Sequence, residues 1–259
     1  MNIVLTVVLG FGIVFFMMLM LWAIHLKLRN AGVVDIGWGI GFILLTSVYI
    51  LRGEGFNLKN VLALFMVTFW GLRLSVHLIQ RLRRDNKEDE RYRTLRAQWQ
   101  NGQNLKFFFF FEFQAFLQMI LSIPFLIISL NNRPGLSSFE ILGFLIWIVA
   151  VVGETISDKQ LAQFKSNSQN KGKVCQAGLW NYSRHPNYFF ECLVWIGFSV
   201  FALGSPSGWI SVISPSMMMY LLLKVSGVPL AEAQSLKGRG DQYREYQRTT
   251  SVLIPWFKK

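Results

Sequence analysis

Apolar positions along the chain gather into seven long runs set apart by polar stretches: about Ile3–Leu26, Val33–Leu51, Leu58–Gln80, Phe107–Leu130, Phe139–Asp158, Tyr188–Leu203 and Trp209–Val225. Each approaches or exceeds the roughly 20 residues that cross a hydrocarbon core of about 30 Å. Lipid offers the backbone no hydrogen-bond partners, so continuous apolar runs of this kind predict helices. The expected fold is all-α: one polytopic membrane domain, residues 1–259, with seven transmembrane helices. The sixth run is short and is expected to be tilted or broken. Pro124 and Pro215 interrupt the fourth and seventh, which neighbouring helices can accommodate. No basic segment precedes the first run, and its length exceeds that of a signal peptide's apolar core, so it reads as a retained span.

The connections are unequal. Arg52–Asn57, Asn131–Ser138 and Gly204–Gly208 are short, whereas Arg81–Lys106, Lys159–Pro186 and the tail from Ser226 are long and polar. Among 26 Lys and Arg residues, only Arg52, Lys59 and Arg133 fall on the short-loop side, and Arg73 and Lys224 lie within spans. The rest fall on the other side, which puts the N-terminus outside and the C-terminus in the cytoplasm. The formal charge of +12 then reflects topology and attraction to anionic membrane lipid, with no nucleic-acid partner. Within the first long loop, the cluster Arg81–Arg96 with its interleaved acids reads as a solvated helix or loop. Cys175 and Cys192 fall on the reducing side, where a disulfide is unusual. Without paired histidines nearby they make no zinc site, so no metal is expected and both read as packing residues.

Polar groups inside the runs are not scattered. With this topology Asp35 and Trp38, Arg73 and His77, Glu112, Gln114 and Gln118, Glu154 and Asp158, and Glu191 all fall in the inner half of the membrane. A polar cavity open to the cytoplasm accounts for them together, since charge at that depth is kept where it has partners or work. Trp70, Arg73 and His77 share one helical face. Asp35 and Arg73 either neutralise each other or face a ligand. His77 is a ligand contact or an interhelical donor, and Gly37, Gly39 and Gly41 serve close helix packing or a site. Gly178-Leu179-Trp180-Asn181-Tyr182-Ser183-Arg184-His185-Pro186-Asn187-Tyr188-Phe189-Phe190-Glu191 is the most distinctive stretch. It sets cationic, imidazole, amide and carboxylate groups at the entrance of a span, an arrangement suited to a charged ligand. The tail Leu230–Arg248 is expected to be partly helical, broken at Gly238 and Gly240. Ser251–Phe257 ends in apolar groups that suit docking on the bilayer surface.

No P-loop occurs, and Gly37-Trp38-Gly39-Ile40-Gly41 lacks the βαβ setting of a dinucleotide fingerprint. G-x-S-x-G and H-E-x-x-H are absent as well. An anionic cofactor held by guanidinium and amide groups at the mouth of a helical bundle remains open.

From Glu154 to Lys259 the chain resembles the superfamily of steroid 5-alpha-reductases, sterol reductases and isoprenylcysteine methyltransferases. The markers are Ser157-Asp158, Gly178-Leu179-Trp180, Arg184-His185-Pro186-Asn187-Tyr188, Glu191, Tyr243-Arg244-Glu245-Tyr246 and Ile254-Pro255-Trp256. Val34-Asp35-Ile36-Gly37-Trp38-Gly39, Trp70-Gly71-Leu72-Arg73-Leu74 and Arg91-Tyr92 extend this to nearly the full length, and are similar to a bacterial branch of the steroid 5-alpha-reductase family. That resemblance implies NADPH-dependent reduction of the carbon–carbon double bond of a 3-oxo-Δ4-steroid or similar lipophilic enone, in a bacterial cytoplasmic membrane. It implies a substrate and acid half, 1–106, and a cofactor-binding half, 107–259, facing the cytoplasm. Family chemistry carried here makes Asp35 the counterpart of an acid on span 2. The family's tyrosine on span 3 has no counterpart: Trp70 is nearest, with His77 and Tyr49 as alternatives, and Arg73 beside them. For NADPH the resemblance implies Asp158, Asn187 and Glu191, with Arg184, His185, Tyr188, Glu232, Tyr243, Arg244, Tyr246 and Arg248 as companions. The alternative from the same superfamily is an S-adenosylmethionine-dependent methyltransferase of the isoprenylcysteine type. Its paired tail glutamates are not matched here, because Ala233 follows Glu232.

Overall fold

The fold was obtained as a computed structural model that describes residues 2–85 and 88–258, without the side chains of residues 83–85. Lys87 and Lys259, counted above in the cytoplasmic charge, lie outside the described residues, as do the side chains of Arg83 and Arg84. The described residues are helical with no strand, and contain one isolated parallel bridge between Ser183 and Ser251. Two units separate: residues 1–140 with 202–214, and residues 141–201 with 215–259.

In the first unit α2 (Val33–Arg52) is the hub, packed on α1 (Ile3–Leu28), α3 (Leu58–Asp85), α5 (Gln103–Leu121) and α6 (Ile123–Ser129). Its glycines explain how one helix meets so many neighbours. A Cβ on Gly39 would lie 2.4 Å from the Gly71 carbonyl oxygen, and one on Gly71 would lie 2.7 Å from that of Gly39. The α2–α3 crossing is therefore backbone against backbone, the use of small residues typical of membrane helices. Ser75 Oγ donates to the Ile36 carbonyl across it at 3.0 Å. From the other side Gln118 Nε2 of α5 donates to the Trp38 carbonyl at 2.9 Å. Phe42, Leu45, Met66, Val67, Trp70 and Phe125 are buried in the resulting core.

The fourth apolar run is two helices. α5 ends at Leu121, and α6 restarts at Ile123 bent by 45°, with Pro124 in its first turn, where a missing N–H costs nothing. Between α3 and α5 the chain forms α4 (Glu90–Gln98), N-capped by Asp89, with Tyr92 buried. The solvated reading of Arg81–Arg96 is corrected here: Arg91 and Tyr92 turn inward, and Arg96 forks onto Glu88 at 2.7 and 2.9 Å.

The expectation that the polar groups of the runs gather at one end is corrected too, because a polar cluster forms at the opposite end, among the short loops. Lys59 Nζ lies 3.4 Å from Glu140 Oε1, and both side chains are buried. Asn131 Nδ2 bonds Ser205 Oγ at 3.0 Å and the Gly204 carbonyl at 3.3 Å, and Asn57 Nδ2 donates to the Asn131 carbonyl at 3.1 Å. All three short loops meet in this knot.

In the second unit α7 (Ser138–Ser166) crosses α8 (Pro186–Ala202) at Gly143 and Gly197. A Cβ on Gly143 would sit 2.3 Å from the Phe201 amide nitrogen. The seventh run is irregular: α9 (Ile213–Tyr220) opens into a π-helical turn at Leu221–Val225 before α10 (Val228–Thr249). α10 breaks at Gly240 (φ 51°, ψ −125°), and Gly238 does not interrupt it.

Among the described residues, five helices are long and apolar enough to cross a membrane, or six with α5 and α6 taken as one span, so the chain is an integral membrane protein. The difference from seven is α8, whose 17 residues reach only about 25 Å at 1.5 Å per residue. The polar residues beyond Leu230 place most of α10 outside the apolar part of the last span.

Two outcomes follow for stability. Breaking the buried pair leaves an uncompensated charge, so Lys59→Met is expected to lower unfolding stability in detergent by about 3–5 kcal/mol, and Lys59→Met with Glu140→Leu to recover most of it. Gly71→Val should cost about 1–3 kcal/mol through overpacking, read as a lowered thermal midpoint, while Gly12→Val, whose Cβ would meet nothing within 4 Å, should not.

Candidate functional site

Two constellations carry the predicted residues, one in each unit. The first is built on Asp35, in the first turn of α2, where the helix dipole favours a negative charge. Its oxygens accept from two side chains of α4: Arg91 Nη2 at 2.8 Å and Tyr92 Oη at 2.6 Å. α4 is held in place by a chain of ion pairs. Asp89 caps it, accepts from Arg91 Nε at 3.1 Å, and pairs with Arg81 of α3. Glu88 accepts from the Ala31 amide at 2.8 Å, just ahead of α2. On its apolar side the Tyr92 ring meets Phe110, and Trp99 meets Phe107.

Electrostatics follow from this geometry. The Asp35 carboxylate holds the Arg91 guanidinium protonated well beyond its ordinary range. Burial, reinforced by the Asp35 charge, pushes the Tyr92 phenol well above its usual value, so it is a donor across neutral pH. Burial opposes ionisation of Asp89, yet Arg91 and Arg81 hold its carboxyl below the usual range. The cluster thus presents an anion flanked by a fixed cation and a phenol that keeps its proton.

Trp70 is wholly buried and packs on Phe42 with ring centroids 5.8 Å apart. Arg73 and His77 are half-buried further along α3. Tyr49 Oη is 2.9 Å from Ser122 Oγ at the α5–α6 bend. Glu112 has both carboxylate oxygens buried without a hydrogen-bond partner.

The second constellation surrounds the Arg-His-Pro-Asn segment. Gly178, at φ 56°, lets Leu179 N–H reach Gln160 Oε1 at 2.9 Å, and Trp180 Nε1 donates to the Ser157 carbonyl at 2.9 Å. Arg184 points into the protein: Nε donates to Glu232 Oε1 at 2.7 Å, and Nη1 to the carbonyls of Gln247 and Thr250 at 2.9 and 2.6 Å. His185 Nε2 is 3.3 Å from the same Glu232 oxygen and its ring stacks on Tyr188 at 5.2 Å. Gln247 Nε2 donates to the other oxygen at 2.7 Å. Burial opposes charge on Glu232, but these donors outweigh it and draw its carboxyl down to about 2. Tyr246 Oη donates to the carbonyls of Trp180 and Ser183, and Tyr243 stands against Tyr246 in a small core with Val174.

Asp158 is half-buried near the end of α7. Glu191 Oε1 accepts from Trp195 Nε1 at 2.9 Å. Asn187 Oδ1 is buried and has no hydrogen-bond partner; a buried acceptor of this kind is costly unless something meets it. Arg244 and Arg248 stand apart, exposed on α10 and paired with Asp241 and Glu245 of the same helix. The segment therefore divides into Arg184, His185, Glu232, Tyr246 and Gln247, which tie the loop to α10, and Asp158, Asn187 and Glu191 along the ends of α7 and α8. Two apolar grooves of about 490 and 580 Å³ open on this unit, and none of these residues lines them.

Tyr92 was missed as a site residue, although Arg91-Tyr92 was legible as a motif. The available signal was one aromatic in the otherwise charged stretch Asp89–Arg93. Gln247 gave no signal at all.

A family profile described as a protein of unknown function, DUF1295, matches residues 21–250. An uncharacterized protein of Schizosaccharomyces pombe is 24% identical over 214 residues, covering 72% of this chain and 62% of its own. The 3-oxo-5-alpha-steroid 4-dehydrogenase 1 proteins of Rattus norvegicus and Mus musculus are each 25% identical over 114 residues, 44% of this chain and 40% and 41% of theirs. The chain thus spans less than two thirds of the length of each of these relatives. No solved structure matches it. With residues 21–250 inside the profile, the chain belongs to the DUF1295 family.

Proposed function

We propose that the protein is an NADPH-dependent membrane reductase that saturates the carbon–carbon double bond of a lipophilic enone, a 3-oxo-Δ4-steroid or a molecule of similar shape. The observation that carries the reading is the Asp35–Arg91–Tyr92 cluster at the start of α2. The likeness to the two mammalian 3-oxo-5-alpha-steroid 4-dehydrogenases supports it.

Reducing an enone requires a hydride at the β-carbon and a hydrogen-bond donor at the carbonyl oxygen, where enolate charge develops. When bound, NADPH supplies the hydride. Tyr92 Oη donates to Asp35 at 2.6 Å; the same phenol can turn its proton to the substrate carbonyl, give it to the enolate as the β-carbon is reduced, and regain one from water. Arg91, fixed on Asp35 at 2.8 Å, adds positive charge beside the developing oxyanion, where preorganised donors are most effective. Tyr92, from α4, takes the place of the tyrosine missing from α3. Arg73 and His77 remain candidates for the same task.

On the cofactor side, Asn187 with its unpartnered Oδ1, Asp158 and Glu191 suit amide and hydroxyl groups of a nucleotide. Arg184 and His185 keep the segment in shape through Glu232. Arg244 and Arg248 are exposed cations available to phosphate. The topology that suits this reading has seven crossings, α8 being the short one, with the N-terminus outside and the cofactor residues on the cytoplasmic side of a bacterial inner membrane.

Purified protein in nanodiscs should bind NADPH saturably, with Asn187→Ala weakening binding; saturable binding of S-adenosylmethionine instead would select the methyltransferase alternative. Tyr92→Phe is expected to lower enone turnover by about 10²–10⁴-fold, the usual range for a lost acid–base group, with NADPH affinity unchanged. Undiminished turnover in that variant would remove Tyr92 from the chemistry.

A further inference from the structure

The C-terminal strap carries an inference independent of catalysis. After α10 ends at Thr249, the chain runs extended along the segment that leads into α8. Four hydrogen bonds fasten it. Arg184 Nη1 donates to the Thr250 carbonyl at 2.6 Å, and the Arg184 amide to that of Ser251 at 2.8 Å. Ser183 Oγ donates to the Leu253 carbonyl at 2.7 Å, and the Trp256 amide to that of Tyr182 at 3.0 Å.

This fastening fixes which side chains face out. Leu253 is buried, whereas Ile254, Trp256 and Phe257 are 61%, 68% and 76% exposed. Tyr182, 40% exposed, meets Phe257 edge to face and joins the same patch. Three large apolar side chains in four residues, held outward by a rigid backbone, form an exposed patch that needs a cover. Its position identifies the cover. Tyr182 lies four residues before Pro186, where α8 begins, so the strap is pinned at the level where an apolar helix starts. Amphipathic rings favour that depth, the headgroup region of a bilayer. Lys258, whose Nζ lies 2.7 Å from Gln176 Oε1, adds a cation at the edge of the patch, and the basic loops give the same face an attraction for anionic headgroups.

We infer that Ile254, Trp256 and Phe257, with Tyr182, form an interfacial anchor that seats the C-terminal strap in the headgroup region of the cytoplasmic leaflet, in contact with anionic phospholipid. The bilayer then acts as a third surface of the clasp formed by the loop and the strap.

The test uses the full chain in nanodiscs of phosphatidylcholine with phosphatidylglycerol, with Cys175 and Cys192 replaced by Ala. A fluorophore is attached at Phe257→Cys or, as a control, at Glu245→Cys on exposed α10. Lipids bearing a nitroxide near the headgroup should quench the Phe257→Cys label roughly threefold more strongly than the control, as expected for an interfacial side chain. Aqueous iodide should do the reverse. Equal lipid quenching at both positions, or free access of iodide to the Phe257→Cys label, overturns the anchor. Protection from both quenchers also overturns it, because a protein surface such as a second copy would then be the cover. Should the double cysteine replacement fail to fold, Trp256→Phe in the native background reads the same contact as a loss of the tryptophan emission quenched by brominated lipid.

Discussion

A carboxylate at the start of a membrane helix has to be neutralised or hydrated, and the way Asp35 is neutralised organises the first unit. Its partners come from neither α2 nor an adjacent span but from α4, a short helix between two spans. That choice obliges α4 to lie over the start of α2, with its apolar side on Phe107 and Phe110. The ion pairs on Asp89 and Glu88 tie α4 to α3 and to the residues just ahead of α2. Glycines at the α2–α3 crossing leave α2 slender enough for its other sides to receive α1, α5 and α6. Charge compensation and close packing thus meet in one helix.

The second unit solves a different problem with similar means. Glu232 takes on Arg184, His185 and Gln247 and so fixes a polar loop to α10. Ion pairs of this kind contribute little where they are solvated; here the shared carboxylate is part-buried and its partners are backbone-linked, so the gain is in geometry. Asn187 and Glu191, on the first turns of α8, inherit their positions from that geometry.

Much of this was legible in the sequence. Length of run and hydropathy located the helices, because lipid leaves the backbone no other option. The Arg-His-Pro-Asn stretch stood out because four dissimilar polar types rarely share a span entrance. Inward-facing α4 was not legible: Arg91 and Tyr92 sit among alternating charges that match a solvated helix, and only distant partners turn them inward. Lys59 and Glu140 gave no signal either: each is a single charge at the start of an apolar run, Leu58–Gln80 and Phe139–Asp158, and only the fold pairs them. Pro124 marked an interruption of the fourth run and the sixth run was legibly short; the apolar run itself did not show the 45° bend at Ser122.

The Lys59–Glu140 pair also bears on biogenesis. Lys59 is synthesised four helices ahead of Glu140, so during insertion its ammonium group spends that interval without the carboxylate that later buries it. α3 must enter the bilayer with the end that carries Lys59 still hydrated and settle to its final depth only once α7 arrives. Maturation of the short-loop end is therefore a late event, set by the order in which the chain is made.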